Sequence, residues 1–208
     1  MLKLYYAPRT CALASYIALE EAGAEYEAIR VDFKANQQQS PEYLAINPKG
    51  RVPALVTDRG VITETPAILA YIAATHPASG LAPLDDPFAF AEVQAFNSYL
   101  CSTVHVGHAH GIRGYRWADD PAALEAMKAK VQQNMTDYFD VIERRMFRGP
   151  WVMGESYSIA DPYLFTVAGW LKQDKVEIAQ FPRVADHFKR MEARPAVAKV
   201  VAAVQGGA

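Results

Sequence analysis

In the stretch YYAPRTCALASYIALEEAG, residues 5–23, a strand-like opening meets a proline turn, and a single cysteine, Cys11, falls where a helix begins. A thiol there faces unpaired backbone N–H groups and the positive end of the helix dipole. Both lower its pKa from about 8.5 and favour the thiolate. The same place would hold a bound anionic sulfur equally well. Three residues on, where a redox motif would carry its second cysteine, stands Ala14. Cys11 is therefore either a working thiol or a small buried hydrophobe filling the first turn.

Two further stretches bear on the choice. In NPKGRVPALV, residues 47–56, Pro48 and Gly50 mark a turn, and Pro53 precedes a strand, where its missing N–H does no harm. A cis Val52–Pro53 bond would leave the Val52 N–H and C=O free to pair with an extended peptide. Most such bonds are trans, so the residues alone leave this open. In VITETPAIL, residues 61–69, Pro66 suits the first helical position and Thr65 its N-cap. Such a helix end binds carboxylates, and Glu64 beside it adds a charge for an amino group. Together they fit the two ends of an amino acid, or they are ordinary capping.

The segment CSTVHVGHAHGIRGYRW holds His105, His108 and His110, but only the first two share a helical face. No carboxylate or cysteine completes a ligand set at a usual spacing, so no metal is expected. Ser158 and Asp161 have the spacing of a capping box before the apolar run PYLFTVAGW. Cys101, inside a helical stretch, reads as packing.

The elements that must position these residues change character along the chain. KLYYA and YEAIRVDF read as strands flanking the helix CALASYIALEEAG, with Leu13, Ile17 and Ala18 on one face. SPEYLAIN then reads as a short helix, PALVTD and VITET as strands around the turn Asp58-Arg59-Gly60, and PAILAYIAATHP as a helix. This is βαβ followed by αββα, an α/β layer architecture over residues 1–76. PASGLAPLDDP at residues 77–87 is the linker, and residues 88–208 carry only helical signals: an all-α domain. Its long segments run to about Trp117 and from Pro121 to Met146.

Bulk properties exclude several classes. A formal net charge of -2 over 208 residues, with no basic run, speaks against nucleic acid or a membrane surface as partner. No leader pattern and no apolar stretch long enough to span a bilayer occur, and the two cysteines make no disulfide framework, so a cytoplasmic location is expected.

YYAPRTCALA, NPKGRVPAL, TETPAILAYIA and SIADPYLF, in this order and at this spacing, resemble the cytosolic glutathione transferases over nearly the full length. Cys11, where other classes carry tyrosine or serine, makes the chain most similar to the bacterial beta class. The resemblance implies a thioredoxin-like N-terminal domain that binds glutathione, a helical domain that holds a small apolar or aromatic electrophile, and a homodimer. Glutathione is then a co-substrate, and no cofactor is implied.

Residue by residue, the resemblance implies a cis Pro53 and a Val52 that pairs with the cysteinyl backbone of glutathione. It implies that Glu64 and Thr65 receive the γ-glutamyl group, that Lys34 reaches the glycyl end, and that Thr10 and Arg51 complete the binding set. His105 falls near the glutathione sulfur, where an imidazole with pKa of about 6.5 donates a hydrogen bond or accepts the thiol proton. Ser98 stands where the class has an asparagine contacting glutathione across the dimer. Asn97 is adjacent, but one residue of helix is a rotation of about 100°. His108, Arg113, Tyr115 and Trp117 border the electrophile pocket. With Arg116, their basic and aromatic mix favours an anionic or aromatic co-substrate, or makes a solvated face with an aromatic anchor. Ser158 and Asp161 belong to a folding motif. Three functions follow: conjugation, with Cys11 as a donor to the glutathione thiolate; thiol-disulfide exchange or peroxide reduction through a Cys11 mixed disulfide; or ligand binding without catalysis.

Overall fold

The computed structural model describes residues 1–206. Strand β1 (Leu2–Tyr6) leads through Cys11 into α1 (Ala12–Glu21) and returns as β2 (Tyr26–Arg30). Then follow α2 (Pro41–Ile46), β3 (Ala54–Thr57), β4 (Gly60–Thr63) and α3 (Thr65–Thr75). The sheet order is β2-β1-β3-β4, with β1 parallel to β2 and antiparallel to β3, and β3 antiparallel to β4. This is the expected thioredoxin-like layer. Its hairpin turn is closed by Thr57, whose hydroxyl donates to the Gly60 carbonyl at 2.9 Å and accepts from the Arg59 N–H at 3.1 Å.

Everything beyond is helical: α4 (Pro87–Tyr99), a wide turn over Leu100–Val104, α5 (His105–Arg113), α6 (Pro121–Val141), α7 (Ala160–Ala168), α8 (Pro182–Glu192) and α9 (Pro195–Gly206). Three helices start alike, with a polar cap directly before a proline. Ser40 accepts from the Tyr43 N–H, Asp86 from Phe88 and Ala89, and Asp120 from Ala122 and Ala123. Among the described residues, no helix is long and apolar enough to cross a membrane.

Three local expectations are corrected. β2 stops at Arg30 rather than running to Phe33, because the Asp32 carboxylate turns back to accept from the Lys34 and Ala35 N–H groups at 2.8 and 3.2 Å. A side chain that satisfies its own backbone competes with the strand ladder. The segment expected to run as one helix to about Trp117 continues through a wide turn at Leu100–Val104, with helical backbone on both sides, but its α-helical part ends at Arg113. Leu13 is only partly buried, while Ala14, Ile17, Ala18 and Leu19 are wholly inside, because α1 is covered on several sides: by β1, α3, α7 and α9.

That coverage makes one core out of both parts. A single cluster of buried side chains runs from Leu4 and Ile17 through Ile68 and Leu100 to Phe139, Tyr163 and Val197. Residues 77–86 are clamped onto it: Leu81 is buried, and its carbonyl accepts from the Ile159 N–H at 2.8 Å.

The Asp161 side chain, wholly buried, ties α7 to its surroundings. It accepts from the Ser158 N–H at 2.7 Å, the Val152 N–H at 2.8 Å and His187 Nε2 at 3.0 Å. One half of the capping box is thus present; in the other, the Ser158 hydroxyl takes the Ala160 N–H instead of that of Asp161. Removing one partner of a buried polar network orphans the rest, so Asp161→Ala is expected to lose roughly 3–5 kcal/mol of stability in urea unfolding. A loss within about 0.5 kcal/mol, as at ordinary surface positions, would show that the network contributes little.

Candidate active site

A cleft of about 830 Å³ opens between the head of α1, the 47–53 loop and the start of α3 on one side, and α5 with Tyr163 and Trp170 on the other. Cys11 lies in its wall, 8% exposed. The neighbouring Thr10 does the capping: its hydroxyl donates to the Ala7 carbonyl at 2.7 Å and accepts from the Ala12 N–H at 3.3 Å. Cys11 Sγ makes no cap bond and instead rests 3.8 Å from the Val52 carbonyl, a weak contact open to exchange for a ligand.

The residues alone leave open whether Cys11 works as a thiol or as a thiolate. Burial pushes the Cys11 thiol up, and the Thr65 hydroxyl and the Arg113 charge offset only part of that rise. Desolvation outweighs the helix end because side chains distant in sequence close over the sulfur. Cys11 stays protonated at neutral pH.

The loop across from it is held by two donors on one acceptor. Tyr43 Oη and Asn47 Nδ2 reach the Arg51 carbonyl at 2.7 and 2.6 Å, fixing the backbone on which Arg51, Val52 and Pro53 stand. The Val52–Pro53 bond is cis, and Gly50 supplies the left-handed residue, φ 60°, that the turn needs.

Glu64, not Thr65, occupies the N-cap of α3, with φ 73° and ψ 123°, a conformation costly for any side chain but glycine. Its carboxylate pairs with Lys49. Thr65 becomes the first helical residue, buried, with a hydroxyl that has no hydrogen-bond partner of good geometry. The two groups expected to receive an amino acid thus remain side by side on the cleft wall.

On the helical side, Arg113 Nη2 donates to His105 Nε2 at 3.0 Å. Arginine has no acceptor, so Nε2 carries the lone pair and Nδ1 the hydrogen. Burial first, then the charge of Arg113, holds the His105 pKa down to about 3. Of its two expected roles, taking a thiol proton is closed; only donation from Nδ1–H remains. His108 is buried, stacked on Trp170 at 4.6 Å between centroids, with Nδ1 2.8 Å from Asp174. It builds the wall and is not free for a ligand ion. Among the described residues, no three His, Cys, Asp or Glu side chains gather as a metal site would require.

Arg113, Tyr115 and Trp117 line the cleft, the two aromatics being exposed at its rim. Lys34 and Ser98 do not. Lys34 is exposed beyond the Asp32 turn, one residue from the lining Phe33, and Ser98 is on the open face of α4. Asn97 is wholly buried, with both amide atoms unpartnered. Among the lining residues that the sequence reading did not assign to the site are Arg9, Tyr163, Trp170 and Cys101, the last read as packing. Only Arg9 left a signal, its adjacency to Thr10 and Cys11.

The whole chain can now be set beside known proteins. Residues 1–74 match the family model "Glutathione S-transferase, N-terminal domain" and residues 104–195 "Glutathione S-transferase, C-terminal domain". Glutathione S-transferase GstA of Escherichia coli O157:H7 is 32% identical over 205 residues, 97% of this chain and 98% of that protein. The chain belongs to the glutathione S-transferase family. A solved glutathione transferase homolog from Sulfitobacter, with bound glutathione, superposes on this family member with a TM-score of 0.93 at 47% identity, covering 97% of each chain. A bacterial beta class glutathione S-transferase from Sphingomonas chungbukensis gives 0.84 at 30% identity, over 97% of this chain and 98% of that one. Disulfide-bond oxidoreductase YfcG of Escherichia coli K12 is 29% identical, covering 100% of this chain and 97% of that protein.

Two outcomes follow from the geometry. The imidazole resonances of His105 should not shift with pH between 8 and 4.5 in NMR titration; movement centred near its ordinary pKa of about 6.5 would place its ring in water. Glu64→Gly should leave the urea midpoint unchanged or raise it by up to about 1 kcal/mol in stability, because the strained φ is released, while glutathione binding in calorimetry weakens at least tenfold. A fall in stability would show that the conformation is not strained.

Proposed function

We propose that this glutathione S-transferase family member activates the thiol of reduced glutathione for attack on a carbon electrophile. The observation that carries the reading is the burial of Cys11 in the cleft wall, its Sγ held only by a weak contact to the Val52 carbonyl at 3.8 Å, a setting that favours the neutral thiol.

In this reading the γ-glutamyl ammonium meets Glu64, and its carboxylate meets the first N–H groups of α3 beside the unpartnered Thr65 hydroxyl. The cysteinyl backbone pairs with Val52 on the loop held by Tyr43 and Asn47, and the glycyl carboxylate lies toward Arg51 and Lys34. The sulfur then faces the Cys11 S–H. A neutral thiol donor, the fixed Nδ1–H of His105 and the positive field of Arg113 all stabilise charge developing on that sulfur. His105 is not free to take its proton, because its lone pair is occupied. The proton leaves to water, and the bound thiolate is favoured electrostatically.

Thiol-disulfide exchange through Cys11, the activity in YfcG's name, needs a Cys11 thiolate, which burial opposes. A non-catalytic ligand carrier would not require Cys11, Glu64 and Thr65 in one wall. The proposal includes a homodimer, since Ser98 and Phe88, the latter 75% exposed, stand on one open side of α4.

The test is the rate of glutathione conjugation to 1-chloro-2,4-dinitrobenzene, with Cys11→Ala beside the intact protein. The variant should bind glutathione normally and lose roughly ten- to a hundredfold in kcat, somewhat less than an oxyanion-hole donor because S–H is a weak donor. Mass spectrometry after exposure to glutathione disulfide at pH 7 should find Cys11 free. A full rate in Cys11→Ala, with a mixed disulfide at Cys11 in the intact protein, would reverse the two roles.

A further inference from the structure

Four arginines line the cleft: Arg9, Arg51, Arg113 and Arg116. Among the described residues the only carboxylate lining it is Glu64, already held by Lys49, and none of the four guanidinium groups is within ion-pair distance of an acid. A cleft with this balance is built for anions.

Glutathione does not use up the charge. It brings two carboxylates and one ammonium, and in the reading above the ammonium goes to Glu64, one carboxylate to the head of α3 and the other to Arg51. Arg9, Arg113 and Arg116 are left over, Arg113 at the end of α5 and Arg116 just beyond it.

Arg113 is the unusual one. Its Nε is buried without a partner, and its one hydrogen bond goes to the neutral imidazole of His105. A desolvated guanidinium with spare donors is costly until an acceptor arrives, and a carboxylate matches its planar fork with two parallel bonds. The fold holds it in place. Arg113 ends α5, and the next residue, Gly114, sits so close to α6 that a Cβ there would come within 3.2 Å of Leu124 Cδ2. The surrounding rim is apolar: Ile112, Tyr115, Trp117 and Phe33 are all exposed along it. Arg113 lines the same cleft as Cys11, so an anion held by it shares that cleft with the reacting sulfur.

We propose that the preferred co-substrate is a carboxylate-bearing, aromatic or unsaturated electrophile, its carboxylate received by Arg113 with Arg116 at the mouth and its apolar body on the rim. This rests on the transferase reading.

The test compares 4-chloro-3-nitrobenzoate with its methyl ester. In each the glutathione sulfur bonds to the ring carbon, chloride departs, and the thiol proton goes to water. Dividing each kcat/KM by the uncatalysed rate constant removes the difference in intrinsic reactivity. The acid should be favoured at least tenfold, and Arg113→Gln should collapse that preference at least tenfold, whatever it does to the absolute rates. Arg113→Lys, which keeps the charge without the fork, should retain part of it and serves if the Gln variant fails to fold. Equal enhancement of acid and ester, or a preference unchanged by Arg113→Gln, overturns the proposal and leaves the transferase reading standing. Calorimetry with the two preformed glutathione conjugates separates the remaining case. The carboxylate conjugate should bind at least tenfold tighter; equal binding overturns this proposal alone, and binding of neither overturns both.

Discussion

The burial of α1 is the constraint on which the rest depends. A helix whose Ala14, Ile17, Ala18 and Leu19 are all inside must be covered on several sides, and no single sheet does that. The sheet covers one side, α3 a second, and α7 and α9 of the helical part close the remainder. The two parts therefore share one core, and the cleft between them begins where that coverage ends, at Cys11. The same packing that completes the core takes water from the thiol and keeps its proton on.

From this follows the division of electrostatic labour in the site. Besides Arg9 and Arg51, the N-terminal side supplies paired or neutral groups: an S–H, a Thr65 hydroxyl, a Glu64 held by Lys49 and backbone set by the cis Val52–Pro53 bond. The helical side supplies uncompensated positive charge and a histidine fixed in one tautomer by its arginine neighbour. In the proposed reaction, charge developing on a sulfur between them is stabilised without any residue changing protonation. A preorganised site of this kind needs little rearrangement when the charge appears.

Much of this is legible in the sequence because it is local. Proline after a polar cap marks three helix starts, Thr57 to Gly60 marks the hairpin, and the switch from alternating to helical patterning marks where strands end. What the chain does not show locally is decided by contacts between distant residues. The Cys11 pKa depends on burial by the helical domain, so reasoning from a helix end alone gives the wrong direction. Cys101 depends on the wide turn at Leu100–Val104, across which a 3.6-residue count no longer keeps the face, and it lines the cleft. Lys34 lies beyond the turn that the Asp32 side chain makes, outside the cleft lining.

The most direct test of this account is an ultraviolet difference titration of thiolate absorbance, in the free protein and with glutathione bound. The account predicts no protein thiolate at neutral pH in the free form, and a bound glutathione thiol that ionises at least one unit below its ordinary value of about 8.5. A thiolate appearing near neutrality in the free protein, with the bound glutathione unshifted, would contradict it.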